Sequence, residues 1–262
     1  MNSIGISSSC FYPLPTELSF EKICRSGVKT AEIFYNSSSE LSPDFTSKLL
    51  EMKNEFGVNV VSVHTYTGFM DSFNLFTDYE RRFYDGLEIY RRLAEIAAAF
   101  GAGNVIMHGA KTYRTAPDDV MGERFRILAD AVASEGARLC YENVNDYRSS
   151  DPSFLRFMMD CAQGKAGAVL DIKQARRAGV PWQDFVSALG TYIRHIHVSD
   201  FDDRHDCITP LEGQYDFEGL FRTMNELHYD GAYIIELYRQ SYKKEEDIFK
   251  SANLLVEKLK KL

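Results

Sequence analysis

The sequence has no stretch approaching the ~18–20 uncharged apolar residues that would span a bilayer, so no membrane partner is expected. It also has no CxxC pair, no GxGxxG turn, no low-complexity segment and no tandem repeat. Its five cysteines, Cys10, Cys24, Cys140, Cys161 and Cys207, are odd in number and widely scattered. That excludes a zinc ribbon or a thioredoxin-type site and leaves reduced, mostly buried thiols as the expectation. The opening segment, MNSIGISSSCFYPLP, has neither a basic n-region nor an apolar h-region. No signal peptide is read there, and a cytoplasmic location is expected. Basic residues are in the minority, 30 against 38 acidic for a net charge of −8. A phosphate backbone demands a concentrated basic face, so nucleic acid is not an expected partner. With 45% hydrophobic and 26% charged residues, disorder is excluded, and 262 residues suffice for a large single core.

What the sequence does have is alternation. Strand-like runs rich in Val, Ile, Tyr and Phe fall at 3–8, 30–36, 59–65, 104–109, 138–143, 167–172, 192–199 and 232–237. Most are nearly continuously apolar, as strands covered by helices should be. Helical patterns lie between them. The first is expected to start on Thr16 as N-cap and stop on Gly27, the second to run from Ser42-Pro43 to Gly57. The longest is expected from about Asp78 to Phe100, with Leu87, Tyr90, Leu93, Ala94 and Ala97 on one stripe. Further helices are expected near 118–135, 152–162, 181–189, 216–227 and 242–261. Eight strands and eight helices in strict alternation, with right-handed crossovers, point to an α/β fold closed as a single (β/α)8 TIM barrel over residues 1–262. A doubly wound sheet has the same alternation. It usually carries a phosphate-binding turn after its first strand, and GISSSC there has none.

The ionisable residues sit at the strand ends. Strands three to eight finish on His64, His108, Glu142, Asp171, His197 and Glu236. In a barrel those ends converge on one pocket. A lone histidine at such a position is ordinarily a hydrogen-bonded rim residue, and Asp171 alone could cap a helix beginning near Ile172. Glu142 and Glu236 close apolar runs, where a carboxylate is costly to bury without a cation or a network. Six placements in register favour a metal site. Glu142, Asp171, His197 and Glu236, three carboxylates and one imidazole, would suit one divalent ion per chain. Oxygen-rich ligation favours Mn²⁺, with Mg²⁺, Co²⁺ and Zn²⁺ as alternatives. His195 lies two residues before His197 and is the weaker ligand, being deeper in its strand. A dication can stabilise an enediolate while Glu142 and Glu236, from strands five and eight, flank the substrate and move a proton between neighbouring carbons.

The ordered segments VSVHTYTG (61–68), VIMHG (105–109), YENV (141–144), LDIKQA (170–175), HIHVSD (195–200), DRH (203–205) and IIEL (234–237) resemble the xylose isomerase-like barrel superfamily. That superfamily includes sugar isomerases, ketose 3-epimerases, inosose dehydratase and endonuclease IV. The resemblance implies a metal quartet of Glu142, Asp171, His197 and Glu236, with the two glutamates as acid/base pair. It also implies substrate contacts from His64, His108, Lys173, Gln174, Arg204 and His205, a small sugar or keto-sugar as partner, and homo-oligomers as the family habit.

Two departures matter. Many relatives have histidine where Gln174 stands, and glutamine is a poor metal ligand. The stretch PLEG (210–213) replaces the Gly-Glu-Gly turn of the nuclease. Both argue against a trinuclear phosphodiesterase. The leading expectation is therefore a metal-dependent sugar isomerase or epimerase. The alternative is a lyase or dehydratase that abstracts the same α-proton from a keto-sugar and then expels a β-substituent. A non-catalytic barrel is the third class, disfavoured by the intact glutamate pair. Tyr35, Tyr66, Phe69, Phe73, Tyr113, Tyr147 and Phe201 fall in or near the βα turns, and the long segment 67–78 is expected as a lid.

Overall fold

The computed structural model describes residues 2–113 and 116–262. Eight parallel strands close into a barrel: β1 Ser3–Ser7, β2 Thr30–Phe34, β3 Asn59–His64, β4 Asn104–Met107, β5 Arg138–Glu142, β6 Ala166–Asp171, β7 Ile193–Val198 and β8 Ala232–Ile235. Each strand pairs with its successor, and β8 returns to β1 through Ile4↔Tyr233 and Ile6↔Ile235. The α-helices of the described residues are α1 Thr16–Ser26, α2 Pro43–Phe56, α3 Gly68–Asn74, α4 Glu80–Phe100, α5 Asp118–Ser134, α6 Pro152–Cys161, α7 Ile172–Arg177, α8 Trp182–Leu189, α9 Phe217–Glu226 and α10 Glu245–Leu259. None is long and apolar enough to cross a membrane.

Local chemistry explains most boundaries. The Ser42 side chain accepts from the Phe45 N–H, Pro43 opens α2, and Gly57 closes it in the left-handed conformation at φ 61°. Along α4, Leu87, Tyr90, Leu93, Ala94 and Ala97 are all buried, as the periodicity requires. Three expectations need correction. Thr16 is the first residue of α1 rather than its cap: its hydroxyl is turned away, donating to Glu40 Oε2 at 3.0 Å. The segment 67–78, expected as a long turn, carries a short helix of its own, α3. A further short helix, α7, likewise forms between β6 and the helix expected at 181–189. Gly179 at φ 69° ends α7, and Pro181, which cannot donate to a helix, precedes α8. The eight-helix alternation therefore gains two short helices, both on the face where the strands end.

Strand parity builds the interior. Side chains at i and i+2 share a face, so His195 and His197 project together, as do Ser62 and His64. The register sets Glu32 beside Ser62, Phe34 beside His64, Glu142 beside Val169 and Asp171 beside His197. Ile106, Cys140 and Val169 form a small buried cluster of their own, apart from the main apolar core between strands and helices. Above that plug the inward positions turn polar, and the polar floor rises toward the C-terminal mouth.

Candidate metal centre and active site

Glu142 and Asp171 end β5 and β6, His197 is the penultimate residue of β7, and Glu236 follows β8 directly. One ligand atom from each of these four lies within 4.8 Å of the others. The capping role anticipated for Asp171 uses one carboxylate oxygen and leaves the other toward the quartet. Its Oδ1 accepts from the Gln174 N–H at 2.8 Å and starts α7, while Oδ2 is buried without a hydrogen-bond partner. A buried carboxylate oxygen with no hydrogen bond, faced by the Lys173 ammonium at 3.3 Å and set beside two further carboxylates and an imidazole, fits a hard divalent cation by donor chemistry and burial alike.

The electrostatics describe a crowded anionic pocket. His197 Nδ1 is 3.1 Å from Glu142 Oε1, 3.6 Å from Glu236 Oε2 and 3.9 Å from Asp171 Oδ2. Burial opposes charge on His197, yet Glu32, Glu236 and Glu142 together hold its proton affinity well above the ordinary histidine value. Burial likewise opposes ionisation of Glu142, but His197 and His108 keep it well below the carboxylate range. Asp171 goes the other way: burial, with Glu142 and Glu236 close by, pushes it up to about 6 against the pull of Lys173.

His64 and His108 reach the same carboxylate. His64 Nε2 lies 3.4 Å from Glu142 Oε2, with Nδ1 3.0 Å from the Thr65 carbonyl, and His108 Nε2 is 3.1 Å from the same Glu142 oxygen. Lys173 is nearly fully buried, at 4% exposure. Its ammonium donates to Glu236 Oε2 at 3.0 Å, lies 3.3 Å from Asp171 Oδ2 and sits 4.8 Å from the Tyr238 ring centre. Despite burial, Asp171 and Glu236 hold it firmly charged. Gln174 accepts from the Asn145 N–H at 3.1 Å through Oε1.

A cavity of about 410 Å³ opens over these groups, lined by Glu142, Glu236, His108, Lys173 and Gln174 with Tyr12, Phe34 and Phe69 on its apolar side. Phe69, on α3, is 81% exposed and stands at the mouth. Arg204 and His205 do not border this cavity. They lie in the exposed loop after β7, where His205 pairs with Asp202 at 3.0 Å, and line a neighbouring cavity of about 810 Å³ that shares only Tyr238 with the first.

One residue escaped the sequence reading. Glu32, on β2, is completely buried and accepts from Ser62 Oγ at 2.7 Å, with His195 Nε2 at 3.0 Å and His197 Nε2 at 3.2 Å. Burial works against its charge, but His197 and His195 hold it well below the carboxylate range. Burial also lowers His195, against the pull of Glu32. The available signal was an acid inside the otherwise apolar run TAEIFY.

Comparisons with known proteins agree with this architecture. A family model described as xylose isomerase-like TIM barrel matches residues 20–258. No curated protein matches the sequence. Among solved structures, a D-tagatose 3-epimerase-like protein is 21% identical at a TM-score of 0.79, covering 99% of this chain and 98% of its own. The 3-keto-D-glucoside 4-epimerase of E. coli is 17% identical at 0.78, covering 98% and 100%. The D-allulose 3-epimerase of Methylomonas sp., solved with D-allulose, is 14% identical at 0.81, covering 98% and 96%. At such identities the likeness is one of fold.

Proposed function

The chain belongs to the xylose isomerase-like TIM barrel family, and from that premise we propose that it is a divalent-metal-dependent isomerase or epimerase of a small sugar or keto-sugar. The observation that carries this reading is the convergence of Glu142, Asp171, His197 and Glu236 beneath a cavity that the two glutamates line and that is wide enough for a sugar ring. These four would hold the ion, and donor chemistry favours Mn²⁺ over Mg²⁺, Co²⁺ or Zn²⁺. Once bound, the ion supplies electrophilic stabilisation of the oxygens next to the carbon that loses its proton.

The protein's own groups account for the rest. Glu142 and Glu236 come from strands three positions apart around the barrel, so they approach a bound sugar from different sides. One takes the proton adjacent to the carbonyl and the other returns one to the opposite face or the neighbouring carbon. His64 and His108, both at Glu142 Oε2, keep that carboxylate ionised and oriented as a base. Lys173 does the same for Glu236 and offers its ammonium to a substrate oxygen. Gln174, anchored by Asn145, presents its amide to a sugar hydroxyl. Phe34, Tyr12 and Phe69 give the sugar an apolar wall and narrow the access of water.

A second reading is proton abstraction followed by loss of a β-substituent from a keto-glycoside. The exposed aromatic rim at Tyr12 and Phe69 favours it, since an aglycone could rest there. The test is to incubate Mn²⁺-loaded protein with a panel of ketoses and 3-keto-glycosides in D₂O and follow the products by NMR. Deuterium beside the carbonyl in a new epimer or isomer is expected, and a released aglycone would instead select the second reading. Glu142→Gln and Glu236→Gln should each slow exchange about 10²–10⁴-fold. Metal-bound protein that exchanges no proton on any member of the panel overturns the proposal.

A further inference from the structure

Glu32 does nothing that the proposed reaction requires of it directly. It lies beneath the quartet and does not line the cavity above it, yet it is a carboxylate at zero exposure. Placing a charge there is costly, and an apolar residue or a glutamine would fill the same volume more cheaply. It is also an incomplete structural tie. All three of its donors, Ser62, His195 and His197, converge on Oε2, while Oε1 has no partner. The arrangement concentrates negative charge at one point, and the His197 ring stands directly between that point and the quartet.

We propose that Glu32 is a positioning residue for the metal, fixing the His197 imidazole so that its Nδ1 lone pair points into the quartet. The ring's two nitrogens face opposite ways. Nε2 is 3.2 Å from Glu32 Oε2, and Nδ1 faces Glu142, Glu236 and Asp171 at 3.1, 3.6 and 3.9 Å. A metal-ligating imidazole carries its single proton on the nitrogen that does not bind the ion. Glu32 Oε2 already accepts from Ser62 Oγ and stands as acceptor opposite Nε2, so Glu32 keeps that proton on Nε2 and leaves Nδ1 as the ligand atom. His195, in the same strand face two residues below, spends its Nε2 on the same carboxylate and braces it rather than joining the quartet. The inference rests on the metal reading above and adds the tautomer, the ligating atom and the residue that enforces both.

The experiment is Mn²⁺ titration by calorimetry of metal-stripped full-length wild type, Glu32→Gln and Ser62→Ala. Glu32→Gln should bind about 10–100-fold more weakly, the usual effect of removing a carboxylate behind a ligating histidine. Ser62→Ala, which leaves the Glu32–His197 pair in place, should lose less. Metal-free Glu32→Gln should melt below wild type, as loss of one partner from a buried ionic network requires; a purely structural role would stop there and leave the Kd for Mn²⁺ unchanged. Should Glu32→Gln fail to fold, ¹⁵N-histidine NMR of Zn²⁺-loaded wild type decides. A protonated Nε2 and a metal-bound Nδ1 on His197 are expected. Ligation through Nε2, or an unchanged Kd in Glu32→Gln, overturns the inference. Wild type that binds no metal at all would instead sink the reading it rests on.

Discussion

Replacing Lys173 with methionine keeps the length and apolar stem of the side chain and deletes its charge. The ammonium lies 3.0 Å from Glu236 Oε2 and 3.3 Å from Asp171 Oδ2. At an effective dielectric of about 20, each contact is worth about 5 kcal/mol before desolvation is subtracted. Removing one partner of such a buried arrangement typically costs about 3–5 kcal/mol, because the remaining charges are left uncompensated. For a chain of this size that corresponds to a melting temperature lower by about 10 °C. A dication in the quartet supplies the missing charge, and at a thousandfold excess over Kd it adds about 4 kcal/mol to the native state. The same substitution removes an ammonium that repels the incoming ion and competes for two of its ligands. Metal-free Lys173→Met should therefore melt well below wild type, recover most of the difference in excess Mn²⁺, and bind Mn²⁺ more tightly. Circular-dichroism melts with and without metal, together with calorimetric titration, read all three effects. A metal-free variant that melts with wild type would refute the reasoning, as would one that binds Mn²⁺ more weakly.

Other perturbations have equally definite outcomes. Because Asp171 is pushed up to about 6 by burial and its anionic neighbours, metal must displace a proton in acid. Mn²⁺ affinity, titrated from about pH 7.5 to about pH 5, should fall at least about tenfold, and a flat profile would contradict the assignment. Gly109 follows His108 at φ 75°, and a Cβ there would overlap the Tyr141 hydroxyl. Gly109→Ala should cost about 3 kcal/mol or more in urea unfolding, and a loss below about 1 kcal/mol would contradict the packing. Burial raises Asp71 to about 6, despite hydrogen bonds from Thr67, Gly109 N–H and Tyr90. The folded state thus holds this proton more tightly than the unfolded chain. Its contribution is full below about pH 4 and lost as pH rises through about 6, a difference of about 3 kcal/mol. Asp71→Asn should gain stability relative to wild type at about pH 8 but not at about pH 4, and an equal effect at both would contradict it.

The barrel was legible because each strand is short, apolar and bounded by turn residues, and because parallel pairing forces the strand ends onto one face. Glu142, Asp171 and His197 could be read as neighbours for that reason: Asp171 pairs with His197 in register, and Glu142 pairs with Val169, two residues before Asp171 on the same face. Glu32 was hidden because it sits within β2 rather than at its end, where an apolar run masks a single acid. Its partners come from β3 and β7, which no local pattern connects. The surroundings of Lys173 were ambiguous for a related reason. It follows Asp171 by two residues, but the turn into α7 rather than strand parity decides where its ammonium goes. Arg204 and His205 show the limit of motif order: an exposed loop has no periodicity to aim a side chain, and both lie over the adjacent cavity.

The most direct measurement of the central claim is metal content per chain, by elemental analysis of protein purified without chelator and again after reloading. One divalent ion per chain is expected, absent from His197→Ala. No ion after reloading, or two or three zinc ions per chain, would contradict a mononuclear sugar enzyme.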